Sequence, residues 1–180
     1  MAALASRLWV LLLLSLILSL SAQANSPTGW RAQLPQASLV GSGDFSWFGF
    51  TVYNAKLWSP ARQVNFEQPF ALELTYRRSI SRETLVDTSL DEIRRIDASA
   101  LQGEREAQWA QHMRQAFVDV RDGTHITGVY LPGQGCLFYV DGKLQHEVDD
   151  PSFARAFFSI WLDPQTRSPK LRAALLGLNP

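Results

Sequence analysis

Residues 125–148 read His125-Ile126-Thr127-Gly128-Val129-Tyr130-Leu131-Pro132-Gly133-Gln134-Gly135-Cys136-Leu137-Phe138-Tyr139-Val140-Asp141-Gly142-Lys143-Leu144-Gln145-His146-Glu147-Val148, and this stretch decides the fold. Three short runs, 125–131, 136–140 and 143–148, carry β-branched and aromatic residues bounded by turn signals. Pro132-Gly133-Gln134-Gly135 separates the first two, and Asp141-Gly142 the last two. Asp-Gly between such runs is a strong hairpin signal, because both central residues of the tight turn need positive φ. The stretch predicts a three-stranded antiparallel meander.

Outward toward the C-terminus, Pro151 opens a helix predicted over 151–162. Phe153, Ala154, Phe157, Phe158 and Trp161 make it apolar almost all round, so it is expected to be buried. Asp163-Pro164 stops it, and a last helix starts at Ser168 or Pro169 and ends at Gly177. Toward the N-terminus, a helix over 104–117 lines up Trp109, Met113 and Phe117. Another, over 82–96, takes Ser79 or Ser81 as cap. Its stripe is Leu85, Leu90, Ile93 and Ile96, with Asp91, Glu92, Arg94 and Arg95 expected outside. Before it, 70–76 alternates with Phe70, Leu72, Leu74 and Tyr76 on one face. Around Gly49 the apolar phase changes from Phe45 and Trp47 to Phe50 and Val52, which signals a bulge or a tight bend between paired strands. Strands, a helix pair, a meander and two final helices predict an α+β domain, one large antiparallel sheet packed against a layer of helices.

The chain has 180 residues, 46% hydrophobic and 11% aromatic, with 17 basic and 17 acidic side chains. That composition fits one folded domain and leaves no broad charge footprint for nucleic acid. A single Cys136 excludes an internal disulfide, and its apolar run predicts burial. Residues 1–24 have the layout of a signal peptide: Arg7, the apolar run 8–20, then Ala22-Gln23-Ala24 as a cleavage signal. The run is shorter than the roughly 20 apolar residues that span a bilayer, so no stable membrane anchor is expected after cleavage following Ala24. Residues 25–36, with Pro27 and Pro35, read as a lead-in, and 37–180 as the domain.

Most chemical motifs fail on spacing. Gly41-Ser42-Gly43 lacks the further glycine, Lys and helix start of a phosphate loop and reads as a strand bend. No Gly-x-Ser-x-Gly elbow occurs. His112, His125 and His146 are scattered over a helix and two strands, so neither a metal nor any other cofactor is expected. Two features stand out. Arg77 and Arg78 end an apolar strand after Tyr76; successive strand residues point to opposite faces, so one guanidinium can point inward, where a ligand carboxylate would pair it, the alternatives being an internal Asp or Glu partner or plain solvent. Arg155 sits inside the aromatic helix, as a second candidate cation in a cleft or else as an internal ion-pair partner or a locally exposed edge.

The segments Leu39–Trp58, Phe70–Ile93 and Gly128–Gly177 together resemble the chalcone isomerase-like family, in its bacterial secreted branch. The most specific is Phe153-Ala154-Arg155-Ala156-Phe157-Phe158-Ser159-Ile160-Trp161-Leu162-Asp163-Pro164, continuing through Thr166 and Pro169 to Gly177. Gly49-Phe50-x-Val52-Tyr53-x-Ala55-x-Leu57-Trp58, Tyr76-Arg77-Arg78-x-Ile80-Ser81-Arg82-Glu83 and Tyr130-x-Pro132-Gly133-x-Gly135 support it. The resemblance implies an open-faced β-sandwich. It also implies a split in function: some members are isomerases that cyclise chalcones, and others bind fatty acids in the same cleft without catalysis. The catalytic positions of the isomerases fall at about Gly43 or Asp44, Asn54, Leu85 and Glu92, and none keeps the catalytic residue type.

The leading expectation is an exported, periplasmic, non-catalytic protein binding a small apolar or amphipathic ligand such as a fatty acid. Tyr76 with Arg77 or Arg78 would hold the carboxylate, and Tyr53, Arg155 and Trp161 would contribute to the cleft. Two alternatives stay open: an intramolecular lyase or isomerase on another substrate, and an envelope protein that binds a protein partner and has no small-molecule site.

Overall fold

The computed structural model describes residues 29–178. The expected signal segment 1–24 and its cleavage point lie outside the described residues, as do residues 25–28 of the lead-in. Six strands form one antiparallel sheet in simple sequence order: β1 (Ser38–Trp47), β2 (Phe50–Ser59), β3 (Phe70–Tyr76), β4 (His125–Leu131), β5 (Gly135–Val140) and β6 (Lys143–Val148). Four helices accompany it: α1 (Arg82–Ile96), α2 (Arg105–Ala116), α3 (Pro151–Leu162) and α4 (Pro169–Leu175). The α+β sheet-and-helix architecture expected from the element order is the one observed.

Local chemistry explains the punctuation. Both two-residue hairpin turns, Phe48-Gly49 and Asp141-Gly142, place both residues at positive φ, matching the twist of the strands they join. The phase change at Gly49 is therefore a tight bend, and a register shift where Phe45 and Ser46 face Tyr53 and Thr51 adds a bulge beside it. Ser81 caps α1, its hydroxyl accepting from the Thr84 N–H at 3.2 Å. Asp150 caps α3 by accepting from the Ser152 and Phe153 N–H groups, with Pro151 at the first turn where no N–H is needed.

The main core lies between the inner sheet face and the helices. Phe70, Leu72 and Leu74 of β3 meet α3 and α1, and Phe138 of β5 sits among Phe117, Phe153 and Phe157 at ring separations of 5.1–6.3 Å. Gly128 on β4 gives room for this packing, since a Cβ there would approach the Phe158 ring to 2.8 Å. The Gly41-Ser42-Gly43 stretch lies within β1 beside a register shift, and α4 crosses it closely. A Cβ on Gly41 would collide with the carbonyl oxygens of Ala174 and Leu175.

The lead-in is more than a tether. Trp30 and Leu34 are buried on the outer sheet face with Ala71, Val129, Leu137 and Tyr139, and the Arg31 guanidinium lies 4.3 and 4.2 Å from the Trp30 and Trp58 rings. Aperiodic segments give no amphipathic signal, and burial here depends on a sheet face formed far along the chain.

Candidate functional site

A cavity of about 720 Å³ opens between the inner face of β1–β3 and the helical layer. The sheet contributes Phe45, Trp47, Tyr53, Leu74 and Tyr76; α1 contributes Leu85, Thr88 and Glu92; α3 contributes Phe157, Ile160 and Trp161. The segment Thr166–Ser168, between α3 and α4, completes one rim. The lining follows from the strand period: Tyr53 of β2 pairs directly with Phe45 of β1 and Tyr76 of β3, so all three rings share a face. Phe45 and Tyr53 stack at 5.1 Å, and Tyr53 meets Tyr76 edge-on at 5.8 Å.

The polar groups of the cavity divide into spent and unspent. Thr166 donates its hydroxyl proton to the Ile160 carbonyl at 2.7 Å, and Ser89 donates to the Leu85 carbonyl at 2.8 Å. Trp161 Nε1 donates to the Tyr53 hydroxyl oxygen at 2.9 Å, which leaves the Tyr53 proton without a protein acceptor among the described residues. Tyr76 has no side-chain hydrogen bond there either. Burial pushes both phenols well above their ordinary pKa, so at neutral pH both are neutral O–H donors.

Glu92 corrects the helix reading. It was expected outside, yet it is only 8% exposed and lines the cavity. The reason is the chain beyond α3, which folds over this part of α1. Arg95 donates to Glu92 Oε2 at 2.9 Å and to the Gln165 carbonyl at 2.7 Å, while Arg167 pairs with Glu92 Oε1. One carboxylate thus clasps α1 to the cavity rim, and both its oxygens are engaged. The Arg167 guanidinium is half-exposed at that rim.

Of the six candidate ligand residues, the structure brings Tyr53, Tyr76 and Trp161 together in the cavity lining. Arg77, Arg78 and Arg155 are not part of it. Strand β3 ends at Tyr76, so the alternation that would aim one arginine inward stops before it reaches either; both are exposed. Arg77 lies 3.8 Å from Asp122, and the Arg78 guanidinium sits 4.5 Å from the Phe50 ring centroid. Arg155 occupies an exposed position on α3 and lies 4.8 Å from the Phe66 ring centroid. Sequence reading missed Arg167 as a site residue, and helical periodicity set Glu92 outside although the family resemblance placed it at a catalytic position; no local pattern marks a polar residue whose neighbours come from another element.

Leu85 and Glu92, at two of the expected isomerase positions, do face the cavity. Asn54 and Asp44 do not: Asn54 Nδ2 donates to Asp44 Oδ1 at 2.8 Å, away from the lining. The arrangement offers O–H and guanidinium donors to a ligand with a long apolar body. The cavity carboxylates are Glu92, held by two arginines, and Asp91, held by Arg94 at 2.7 Å. Elsewhere, His112 of α2 and His146 of β6, read as scattered, come together with Nδ1 and Nε2 3.5 Å apart. Cys136 is buried in β5, and burial pushes its thiol pKa up.

Comparison with known proteins agrees with this architecture. The sequence pattern of a family described as "Chalcone isomerase-like" matches residues 23–177. An uncharacterised protein of Haemophilus influenzae is 29% identical over 140 residues, spanning 77% of this chain and 67% of that protein. Among solved structures, a fatty-acid binding protein of Arabidopsis thaliana is similar with a TM-score of 0.60 at 11% identity, covering 78% of this chain and 87% of that one. At that identity the likeness is one of fold.

Proposed function

Because the chain belongs to the chalcone isomerase-like family, we propose that it is a non-catalytic binding protein for a small amphiphile, with a long-chain fatty acid as the model ligand. The observation that carries this reading is the cavity. Its volume of about 720 Å³ lies in the range of small-molecule sites, and its walls are aromatic and aliphatic with a few convergent donors. In this reading the acyl chain lies among Phe45, Leu74, Phe157 and Trp161. The carboxylate takes hydrogen bonds from Tyr53 and Tyr76 and the charge of Arg167, a role first expected of Arg77 or Arg78. The name of the Arabidopsis relative, a fatty-acid binding protein, is consistent with this ligand class. Isomerase chemistry would need, beside the cation Arg167 offers, a group able to take up a proton in the cavity. Phenols raised by burial and a carboxylate held by two arginines serve that poorly. We further propose export to the periplasm, on the signal-like pattern of residues 1–24; N-terminal sequencing of the periplasmic protein should then begin at Asn25.

The test is native mass spectrometry of the purified protein followed by solvent extraction. A stoichiometric amphiphile is expected, with binding of added fatty acid weakened about tenfold by Tyr76→Phe or Arg167→Gln, the worth of one hydrogen bond to a charged group. Arg77→Ala and Arg78→Ala should leave solution affinity unchanged. A protein that carries no adduct and takes up no added fatty acid would sink the reading.

A further inference from the structure

The β1–β2 hairpin ends in Trp47-Phe48-Gly49-Phe50, and the exposures there are 49% for Trp47, 85% for Phe48 and 59% for Phe50. Phe48 is held at φ 48°. The other hairpin turn makes the same shape with Asp141 at φ 47°, one of the residues that tolerates this conformation, whereas a bulky side chain there is strained. The strained ring packs only edge-on against Trp47, 5.2 Å away, and otherwise faces solvent. A conformational cost with so little packing in return, at a turn where Asn or Asp would be better, indicates that the aromatic group serves something outside the chain.

Cations surround the same tip. The Arg78 guanidinium lies 4.5 Å from the Phe50 ring and has no ion-pair partner among the described residues. Arg167 lies 5.9 Å from the Trp47 ring, and Trp47 itself lines the cavity. Exposed aromatics interleaved with arginines, at the edge of an apolar cavity, complement one surface in particular: a bilayer whose acyl boundary takes the rings and whose phosphates take the guanidinium groups. A two-residue turn presents far less than the roughly 800 Å² per partner of a standard protein interface, which argues against a second copy as its cover.

We propose that the β1–β2 hairpin tip is a docking element for anionic lipid bilayers. Trp47, Phe48 and Phe50 enter the interfacial layer, Arg78 pairs with a headgroup phosphate, and the cavity rim at Trp47 is held against the membrane. The loading role rests on the ligand reading above: an amphiphile would pass from bilayer to cavity beside Trp47 without crossing water. The docking itself does not depend on that reading.

The experiment is flotation of the purified protein with vesicles of phosphatidylglycerol and phosphatidylethanolamine, and with neutral phosphatidylcholine vesicles. Phe48→Asn is the decisive variant, since Asn-Gly suits this turn and the fold is expected to keep or gain stability. It should lower partition onto anionic vesicles about tenfold, the effect of withdrawing one phenyl ring from an apolar phase. Arg78→Gln should lower it further and reduce its salt dependence. Binding of a fluorescent long-chain fatty acid in vesicle-free solution, measured on the same variants, should not change. If that binding is absent while flotation depends on Phe48, docking stands and the ligand reading fails. Equal partition of wild type and Phe48→Asn, no flotation at all, or a sedimentation-detected dimer lost in Phe48→Asn would each overturn the docking proposal.

Discussion

At the scale of single residues, the sharpest constraints are steric and electrostatic. Gly41 lies under the last turn of α4, so Gly41→Ala must push the helix off β1. A loss of about 2–3 kcal/mol is expected, the usual cost of overpacking, measurable as a lower urea midpoint. Glu92 joins α1 to the chain around Gln165 and Arg167. Because both arginines remain partly solvated, Glu92→Ala should cost only about 1–2 kcal/mol. Its clearer mark should be weakened ligand binding, since Arg167 loses the partner that fixes it at the rim. Tyr76 and Trp161 were legible as site candidates because the strand and helix periods put large aromatics on inward faces, whereas Tyr53, out of phase with Phe50 and Val52, comes opposite Phe45 only through the register shift between β1 and β2. Arg77 and Arg78 were misleading for an equally local reason: β3 ends one residue before them.

At the scale of elements, Asp150 ties three together. It caps α3 through two backbone N–H groups and accepts from the Trp109 indole of α2 at 2.9 Å, next to the end of β6. Asp150→Ala should cost about 2 kcal/mol or more, a lost cap plus a buried indole N–H left without an acceptor; thermal unfolding would show it. The contact of α2 with β6 adds a pH response. Burial and the neighbouring His112 lower the pKa of His146 below its ordinary 6.5, with Glu147 opposing. The unfolded chain therefore binds a proton at His146 before the folded chain does, and stability falls as pH drops below about 6.5 toward the folded value. His146→Gln should flatten that part of the stability-versus-pH curve, and an unchanged slope would show that other groups dominate it.

At the scale of the whole molecule, the sheet and helices bury a continuous core yet leave a cavity between them. A ligand that binds only the folded form stabilises it by mass action, about 2.7 kcal/mol at a hundredfold excess over Kd. For a chain of this size that corresponds to a rise in Tm of roughly 5–10 °C. Calorimetry with increasing long-chain fatty acid should show the rise, smaller for Tyr76→Phe, and absence of any shift would count against the cavity as a fatty-acid site. The outer sheet face is covered in part by Trp30 and Leu34, so loss of the lead-in should destabilise the domain rather than merely shorten it.

The sequence by itself determined the main strands and helices, their order and the Asp141-Gly142 turn, and narrowed the cap of α1 to Ser79 or Ser81. These rest on interactions between near neighbours: the 2- and 3.6-residue periods, the reach of a serine hydroxyl to a helix N–H and the positive-φ tolerance of Asp141-Gly142. Only the tertiary structure decided which faces meet and how closely. It buried Glu92 under a segment some seventy residues away, joined His112 to His146, turned Arg77, Arg78 and Arg155 away from the cavity, and brought Arg167 to its rim. Each of these depends on contacts between distant parts of the chain, whose geometry is set by packing of whole layers and leaves no periodic trace in the residues themselves.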